Sequence, residues 1–337
     1  MAVKKVDNTM LKQRLNATLR QLPFPQLDGI LKPKALEAAQ MPPLPIRHFN
    51  FKFDGLGIDH KFYMQAELAS AYFSALSIFL TYGEDLVIDT ARHHRDLVKD
   101  PVLKQRLTSL IGQEALHSKI HEEWNEVLKE NGYPVTFFRF LAGIVFDYGF
   151  NRLPQPMKLS LMAAIEHFTA VLAEFMMKHE SNFFHSHNEK QRALWMWHML
   201  EESEHKDIAY DAFQTLSGNY PLRVAGFFPA MFTILFLILI GGLYIPFYAQ
   251  PKKMFSLSYW KDVKRSIGLL YGKDGVYGSA IGHVFEYLKP NFHPNDHDTA
   301  MYLEYYEKRL LDPEHGILTP YFVKSFTPKV QPLAATA

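Results

Sequence analysis

Two Glu-x-x-His motifs constrain this chain more than any other feature. The first is Glu114-Ala115-Leu116-His117, with Glu84 upstream; the second is Glu202-Ser203-Glu204-His205, with Glu166 upstream. A Glu and a His three residues apart share one face of a helix, so both side chains can reach one metal ion. One such motif arises easily by chance on a solvated helix. Two copies, each preceded by a lone glutamate one helix earlier, form a set that four inward-facing helices can use to hold two ions.

The placement of helices supports this. Phe62 to Leu97 reads as a long helix containing Glu84. Asp100-Pro101 reads as the N-cap and first residue of the next helix, Val102 to Glu130, which stops at Asn131-Gly132-Tyr133-Pro134. A Phe-rich connection (Phe137, Phe138, Phe140, Phe146, Phe150) leads to a third helix, Met157 to Glu180. A loop at 181–188 precedes a fourth helix that runs to Leu216, where Ser217-Gly218-Asn219-Tyr220-Pro221 ends it. Glu84 lies 16 residues before Asp100 and Glu114 lies 14 after it. At about 1.5 Å per residue, both sit roughly 21–24 Å from the turn of an antiparallel hairpin. Glu166, 15 before Ser181, and Glu202, 14 after Asn188, match in the same way. Two hairpins with carboxylates at equal depth can pack as a four-helix bundle with Glu84, Glu114, His117, Glu166, Glu202 and His205 inside.

Carboxylates bridge hard cations, and one imidazole per metal adds a nitrogen ligand suited to iron. The expected cofactor is therefore a pair of iron ions, with manganese as the other fit. Six side chains on two ions leave positions open for O₂ or water. Which carboxylates bridge is not readable from spacing. The flanks of Glu166 (Ala163, Ala164, Ile165, Ala170, Val171, Leu172) are apolar, and a glutamate there is costly unless paired or bound to metal.

Other residues compete for attention. Glu174 is the rival to Glu166 on the third helix. His121 and His198 lie one turn from the motifs and suit either an extra ligand or an ordinary buried histidine. Asp207 and Asp211 are candidates to hold the imidazoles in place. His93 and His94 fall in a charged run and read as surface. His293-Pro294-Asn295-Asp296-His297-Asp298 looks metal-like, but a loop of turn residues explains it more simply.

Composition excludes several chemistries. The chain has no cysteine, so disulfides, thiolate metal sites and cysteine nucleophiles are out. A net charge of +1 gives no argument for nucleic acid. Met1 to Leu15 lacks an apolar signal core, so a cytoplasmic location is the expectation. Residues 1–50 read as an irregular Pro-punctuated segment, with a short amphipathic helix possible only over Val3 to Leu22. Residues 51–220 form the di-metal bundle. In 221–251 no charged residue occurs between Arg223 and Lys252, and Phe227 to Tyr248 is long enough to cross a hydrocarbon core. Pro229, Gly241-Gly242 and Pro246 interrupt one straight helix and suit an in-plane anchor; a core or dimer helix is the third use. Residues 252–337 return to mixed charge, with helices over Ser256 to Leu270 and Ala300 to Leu311.

Glu201-Glu202-Ser203-Glu204-His205 and Gln113-Glu114-Ala115-Leu116-His117 resemble the paired boxes of ferritin-like di-iron carboxylate proteins such as the soluble acyl-carrier desaturases. Glu204 stands where those enzymes carry Arg, and Gln113 where an acid is usual; both departures concern the network around the ligands rather than the ligands. More of the chain resembles a bacterial family of predicted metal-dependent hydrolases, itself ferritin-like. The matching stretches are Pro45 to Phe51, Tyr82 to Asp85, Ile111 to His117, Glu166 to Ala170, Trp197 to Lys206 and Phe292 to Asp298. The resemblance implies an all-α, ferritin-like four-helix bundle, here with an added apolar arm and a C-terminal helical region. The ligand set leads us to expect a di-iron oxidoreductase that hydroxylates or desaturates an apolar, lipid-like substrate with an electron donor. The family name implies the alternative, a hydrolase using metal-activated water. A non-catalytic iron-binding membrane protein is the third reading. Membrane association and a homodimer complete the expectation.

Overall fold

The computed structural model describes residues 44–53, 55–179, 188–249, 251–297 and 299–329. The Val3 to Leu22 helix and nearly all of the 181–188 loop lie outside the described residues. The chain is mostly helical, as expected. In order, the elements are strand β1 (Ile46–Phe49) and helices α1 (Glu67–Arg95), α2 (Pro101–Glu130), α3 (Val135–Gly143), α4 (Gln155–Lys178), α5 (Glu189–His205) and α6 (Ile208–Leu216). Then come α7 (Tyr220–Ala249), α8 (Leu257–Tyr271), α9 (Val276–Glu286), α10 (Ala300–Leu310) and β2 (Phe322–Phe326).

Helix boundaries follow their capping chemistry. Asp100 accepts hydrogen bonds from the amides of Val102 and Leu103 at 2.8 and 2.9 Å, with Pro101 as first helical residue. Asn188 caps α5 through the Gln191 amide at 3.1 Å, and Ser256 caps α8 through the Tyr259 amide at 3.2 Å. The α1–α2 and α4–α5 pairs pack along their lengths, and α1 also touches α4.

Several expectations need correction. The Phe-rich connection is helical: α3 continues into a π-helical turn (Ile144–Gly149) and a 3-10 turn (Phe150–Arg152). The fourth helix does not run unbroken to Leu216; it stops at His205 and restarts at Ile208. The Asp207 carboxylate at that break does not cap α6, because it is held by Arg106 at 2.9 and 3.0 Å and by Asn295 at 3.0 Å. The N-terminal segment is not irregular throughout. Strand β1 pairs antiparallel with β2, Ile46 opposite Phe326 and Arg47 opposite Ser325, so the two ends of the described chain are tied together. A 3.6-residue reading does not detect four-residue strands whose partner lies near the other terminus. Finally, α9 was not foreseen.

The apolar segment is one continuous helix, not an interrupted one, despite Pro229 and Pro246. It is also no detachable arm, because α7 lies lengthwise in the angle between α1 and α4. Its glycines are approach points: a Cβ on Gly241 would stand 2.2 Å from Ala75 Cβ, and one on Gly226 would stand 2.1 Å from Ser160 Oγ. Two helices are long and apolar enough to cross a membrane. In α4 the apolar stretch is 83% buried within the molecule, as befits a core helix; in α7 it is 38% buried. The outward ridge of α7 carries Phe228, Phe232, Phe236, Leu239, Leu243 and Phe247, spaced by three or four residues.

The glycine contacts give a paired test. Gly241→Ala should lower stability by about 1–3 kcal/mol through overpacking against Ala75. Gly268→Ala in α8, where an added Cβ meets nothing within 4 Å, should be neutral or gain up to about 1 kcal/mol of helix propensity. Thermal or chaotrope midpoints of the two variants check the order.

Candidate metal centre

All six residues expected as ligands converge in the interior between α1, α2, α4 and α5. Glu84 is 3% exposed, Glu114 1%, His117 0%, Glu166 2%, Glu202 2% and His205 0%. Glu84 comes from α1, Glu114 and His117 from α2, Glu166 from α4, and Glu202 and His205 from α5. The helix arithmetic places carboxylates at equal depth, and they meet there.

Their donor atoms form two overlapping groups that could each hold a metal ion. Glu84, Glu114 and His117 make one; Glu114, Glu166, Glu202 and His205 make the other. His205 Nδ1 lies 2.8 Å from Glu114 Oε1, 3.3 Å from Glu166 Oε2 and 3.8 Å from Glu202 Oε2. His117 Nδ1 lies 3.8 Å from Glu114 Oε1 and 3.6 Å from Glu202 Oε1. Glu114 and Glu202 therefore face both imidazoles, which separates them from Glu84 and Glu166, each on one side.

The decisive feature is what these atoms lack. Both oxygens of Glu84, Glu114 Oε1, His117 Nδ1, Glu166 Oε2, Glu202 Oε2 and His205 Nδ1 are buried with no hydrogen-bond partner. Each of the six residues contributes at least one. Buried polar atoms without partners cost about 1–3 kcal/mol apiece, more when charged. Seven of them gathered in one region, where they face only one another, fit bound cations.

The other imidazole nitrogens are fully engaged, in a crossed pattern. His117 Nε2 bonds Glu201 Oε2 at 3.0 Å, and His205 Nε2 donates to Gln113 Oε1 at 2.7 Å. The residue preceding the motif glutamate on each helix thus holds the histidine of the other helix. This fixes the tautomer, leaving Nδ1 free toward the centre. Gln113 in turn donates to the Pro45 carbonyl and to Glu204 Oε2, both at 2.8 Å. Arg47 of β1 closes the network. It reaches Glu204 at 2.7 and 2.9 Å, Glu201 at 3.4 Å and Glu307 of α10 at 2.8 Å. The two departures from the di-iron pattern are explained together: Glu204 and Gln113 serve a network whose positive charge comes from a distant strand.

Burial and mutual charge set the electrostatics. Desolvation, then the neighbouring charge of Glu114, raises Glu84 well above the usual carboxylate range and pushes Glu166 up to about 8. Burial alone would lower His117 and His205. For His117 the neighbouring carboxylates Glu201 and Glu202 outweigh it, and for His205 the Glu114 charge does, so both are raised.

Of the rival and accessory residues, His198 joins His117 and Glu202, and His121 and His198 join Glu84, in further groups that could hold a metal ion. Glu174 pairs with Lys178 at 2.5 Å on the outer side of α4 and is absent from the cluster. His198 Nε2 lies 3.2 Å from Glu202 Oε1. Its Nδ1 is 3.0 Å from His121 Nε2, and His121 Nδ1 is 2.8 Å from Ser77 Oγ, forming a buried chain beside the centre. Burial lowers both imidazoles, leaving them neutral. Asp207 and Asp211 do not hold the ligand imidazoles. Asp207 pairs with Arg106, and Asp211 lies 3.0 Å from His293 Nε2. His94 is buried against the Thr90 carbonyl rather than on the surface. His293 caps a short turn, while His297 turns to a different partner described below.

An apolar slot opens beside Glu202 and His198. Its walls are Leu76 and Phe79 of α1, Phe146, Phe168 and Leu172 of α4's neighbourhood, and Thr233 and Ile234 of α7. Phe146 alone of the Phe-rich stretch lines it. That α7 forms one wall could not be read from spacing, because α7 carries no chemistry of its own.

A family model described as a predicted metal-dependent hydrolase matches residues 45–298. No curated protein and no solved structure matches the chain. The crossed bracing makes a direct prediction. Gln113→Leu, which removes the partner of His205, should weaken metal binding about 10–100-fold, and Glu174→Ala should leave it unchanged; chelator competition measures both.

Proposed function

The chain belongs to the family of predicted metal-dependent hydrolases, and on that premise we propose that the buried cluster is a two-metal centre hydrolysing an ester or amide bond of an apolar, lipid-like substrate. The seven partnerless donor atoms of Glu84, Glu114, His117, Glu166, Glu202 and His205 carry the reading. On it, Glu84 and His117 would hold one ion and Glu166 and His205 the other, with Glu114 and Glu202, which face both imidazoles, available to either. The bundle is read as ferritin-like, with α1, α2, α4 and α5 as its ligand helices. Divalent ions, iron or manganese by donor set, would supply Lewis acidity and the means of activating water near neutral pH.

The chain's own residues do the rest. Glu201 and Gln113 hold His117 and His205 in one orientation. His198, a neutral imidazole lining the slot and backed by His121, is placed to take or return a proton at Nε2. Leu76, Phe79, Phe168 and Ile234 exclude water and select an apolar chain. The exposed ridge of α7 stands behind the slot wall. Next to it, exposed Phe255, Leu257 and Trp260 adjoin Lys252, Lys253, Lys261 and Lys264. An aromatic ridge flanked by lysines suits the surface of a bilayer. Because α7 lies flat along α1 and α4, in-plane contact fits better than a span. A substrate would then enter from lipid.

The oxygen chemistry expected from the ligands remains the second reading, favoured by four carboxylates with one imidazole per side; the family description favours hydrolysis. One experiment separates them. Manganese- or zinc-loaded protein should cleave long-chain p-nitrophenyl esters, and Ile234→Trp should raise KM for long chains more than for acetate. Absence of cleavage, with a near-ultraviolet band appearing when anaerobic ferrous protein meets O₂, would move the assignment to oxidation.

Lipid contact has its own test. Phe232→Ser with Phe236→Ser should reduce binding to anionic phospholipid vesicles in a flotation assay by roughly 10-fold or more, since each buried aromatic contributes about 1.5–3 kcal/mol. Equal flotation of the variant would remove the ridge from the account.

A further inference from the structure

A second group of metal-ligand side chains lies outside the buried centre. We propose that His283, Glu286 and His297 form a separate site for one zinc-class divalent cation on the outer face of α9. His283 and Glu286 are three residues apart on that helix and share one face. His297 arrives from the loop that follows, beyond the Pro294–Asp296 turn. His283 Nδ1 lies 3.2 Å from His297 Nε2 and 3.5 Å from Glu286 Oε2, and His297 Nε2 also contacts Glu286 Oε2. Bonds of roughly 2.0–2.2 Å to nitrogen and carboxylate oxygen give tetrahedron edges close to the two separations from His283, and the closer His297–Glu286 contact would open to admit the ion. Two imidazoles and one carboxylate are a zinc donor set with one position left over.

The groups are held ready from behind. Glu286 Oε1, the oxygen turned away from the histidines, accepts from Lys289 Nζ at 2.6 Å. Lys206 Nζ donates to the His297 carbonyl at 2.5 Å and to Thr299 Oγ1 at 2.9 Å. His167 Nε2 lies 3.2 Å from the carbonyls of His283 and Val284. Lys206 follows ligand His205 in sequence, and His167 follows ligand Glu166. An ion closing His283 and Glu286 onto His297 would therefore pin the 287–297 segment against the helices that carry the inner ligands. His283 is 49% exposed, Glu286 27% and His297 33%, so the fourth position faces water and metal can enter without opening the core. An ordinary surface i, i+3 pair needs only Glu286 and Lys289; the third arm from a separate loop is what such a pair lacks.

The test uses the full chain with zinc ion as probe. Wild-type protein should bind one more equivalent of zinc than His283→Ala, His297→Ala or Glu286→Gln, and Glu114→Ala should keep that equivalent. Substitution by cobalt(II) should give tetrahedral visible bands that vanish in His297→Ala and persist in Glu114→Ala. All three outer variants carry changes at exposed or half-exposed positions, and far-ultraviolet circular dichroism verifies their fold. Equal zinc stoichiometry and affinity in wild type and the three outer variants would overturn the proposal, as would cobalt bands that vanish in Glu114→Ala. Zinc stoichiometry and the cobalt bands read the outer site without reference to hydrolysis, so the two readings fail independently.

Discussion

Four carboxylates and two imidazoles buried against one another dominate the energetics of this protein. Taken out of water, ionised groups of one sign repel, and each unpaired one costs several kcal/mol. The fold places Glu84, Glu114, Glu166 and Glu202 within one small volume and leaves an oxygen of each without a hydrogen-bond partner. Such an arrangement is unfavourable for the chain alone and favourable with cations. Asp100 and Asn188 cap two of the helices that carry these groups, and the packing of all four supplies the stability that the site consumes. Conformational precision comes from a different source, the hydrogen bonds on the outer side of the ligands.

That outer layer ties the centre to the whole molecule. Glu201 and Gln113 each hold the opposite histidine, and Arg47 binds Glu201, Glu204 and Glu307 at once. Arg47 sits on β1, which pairs with β2 near the other end of the described chain. The strand pair is small, yet it sets the position of the one guanidinium that compensates the acids behind the ligands. Phe49 and Phe51 stack near Trp197 at 5.6 and 5.9 Å, and Trp197 meets the His117 ring edge at 4.8 Å. Segments remote in sequence thereby hold one imidazole from both its hydrogen-bonded and its apolar side.

Much of this was legible in the sequence because helical periodicity is local. The positions of Glu84, Glu114, Glu166 and Glu202 relative to Asp100 and the second turn predict equal depth, and the structure brings the four together. The sequence leaves Glu174 as the rival of Glu166 on the third helix, and in the structure Glu174 lies outside the cluster with Lys178. What was not legible depends on pairings distant in sequence. Nothing local says that Arg47 reaches Glu204, that α7 walls the slot beside Glu202, or that His297 meets His283. Gln113 and Glu201 could have been found, since each lies one full turn before a ligand histidine and both precede a motif glutamate. Asp207 drew attention by proximity to His205 and proves to serve Arg106 instead. Prolines and paired glycines suggested a broken α7. The helix runs through them, and Gly241 and Gly242 are where it approaches Ala75 and Tyr72 of α1.

The central claim is that the interior cluster holds two metal ions. Anomalous diffraction from crystals of iron- or manganese-loaded protein tests it most directly, because it locates the ions independently of the outer site. The account predicts two peaks among Glu84, Glu114, His117, Glu166, Glu202 and His205, with Glu114 and Glu202 between them, and their loss in Glu114→Ala. A single peak there, or none, in protein saturated with metal would contradict it.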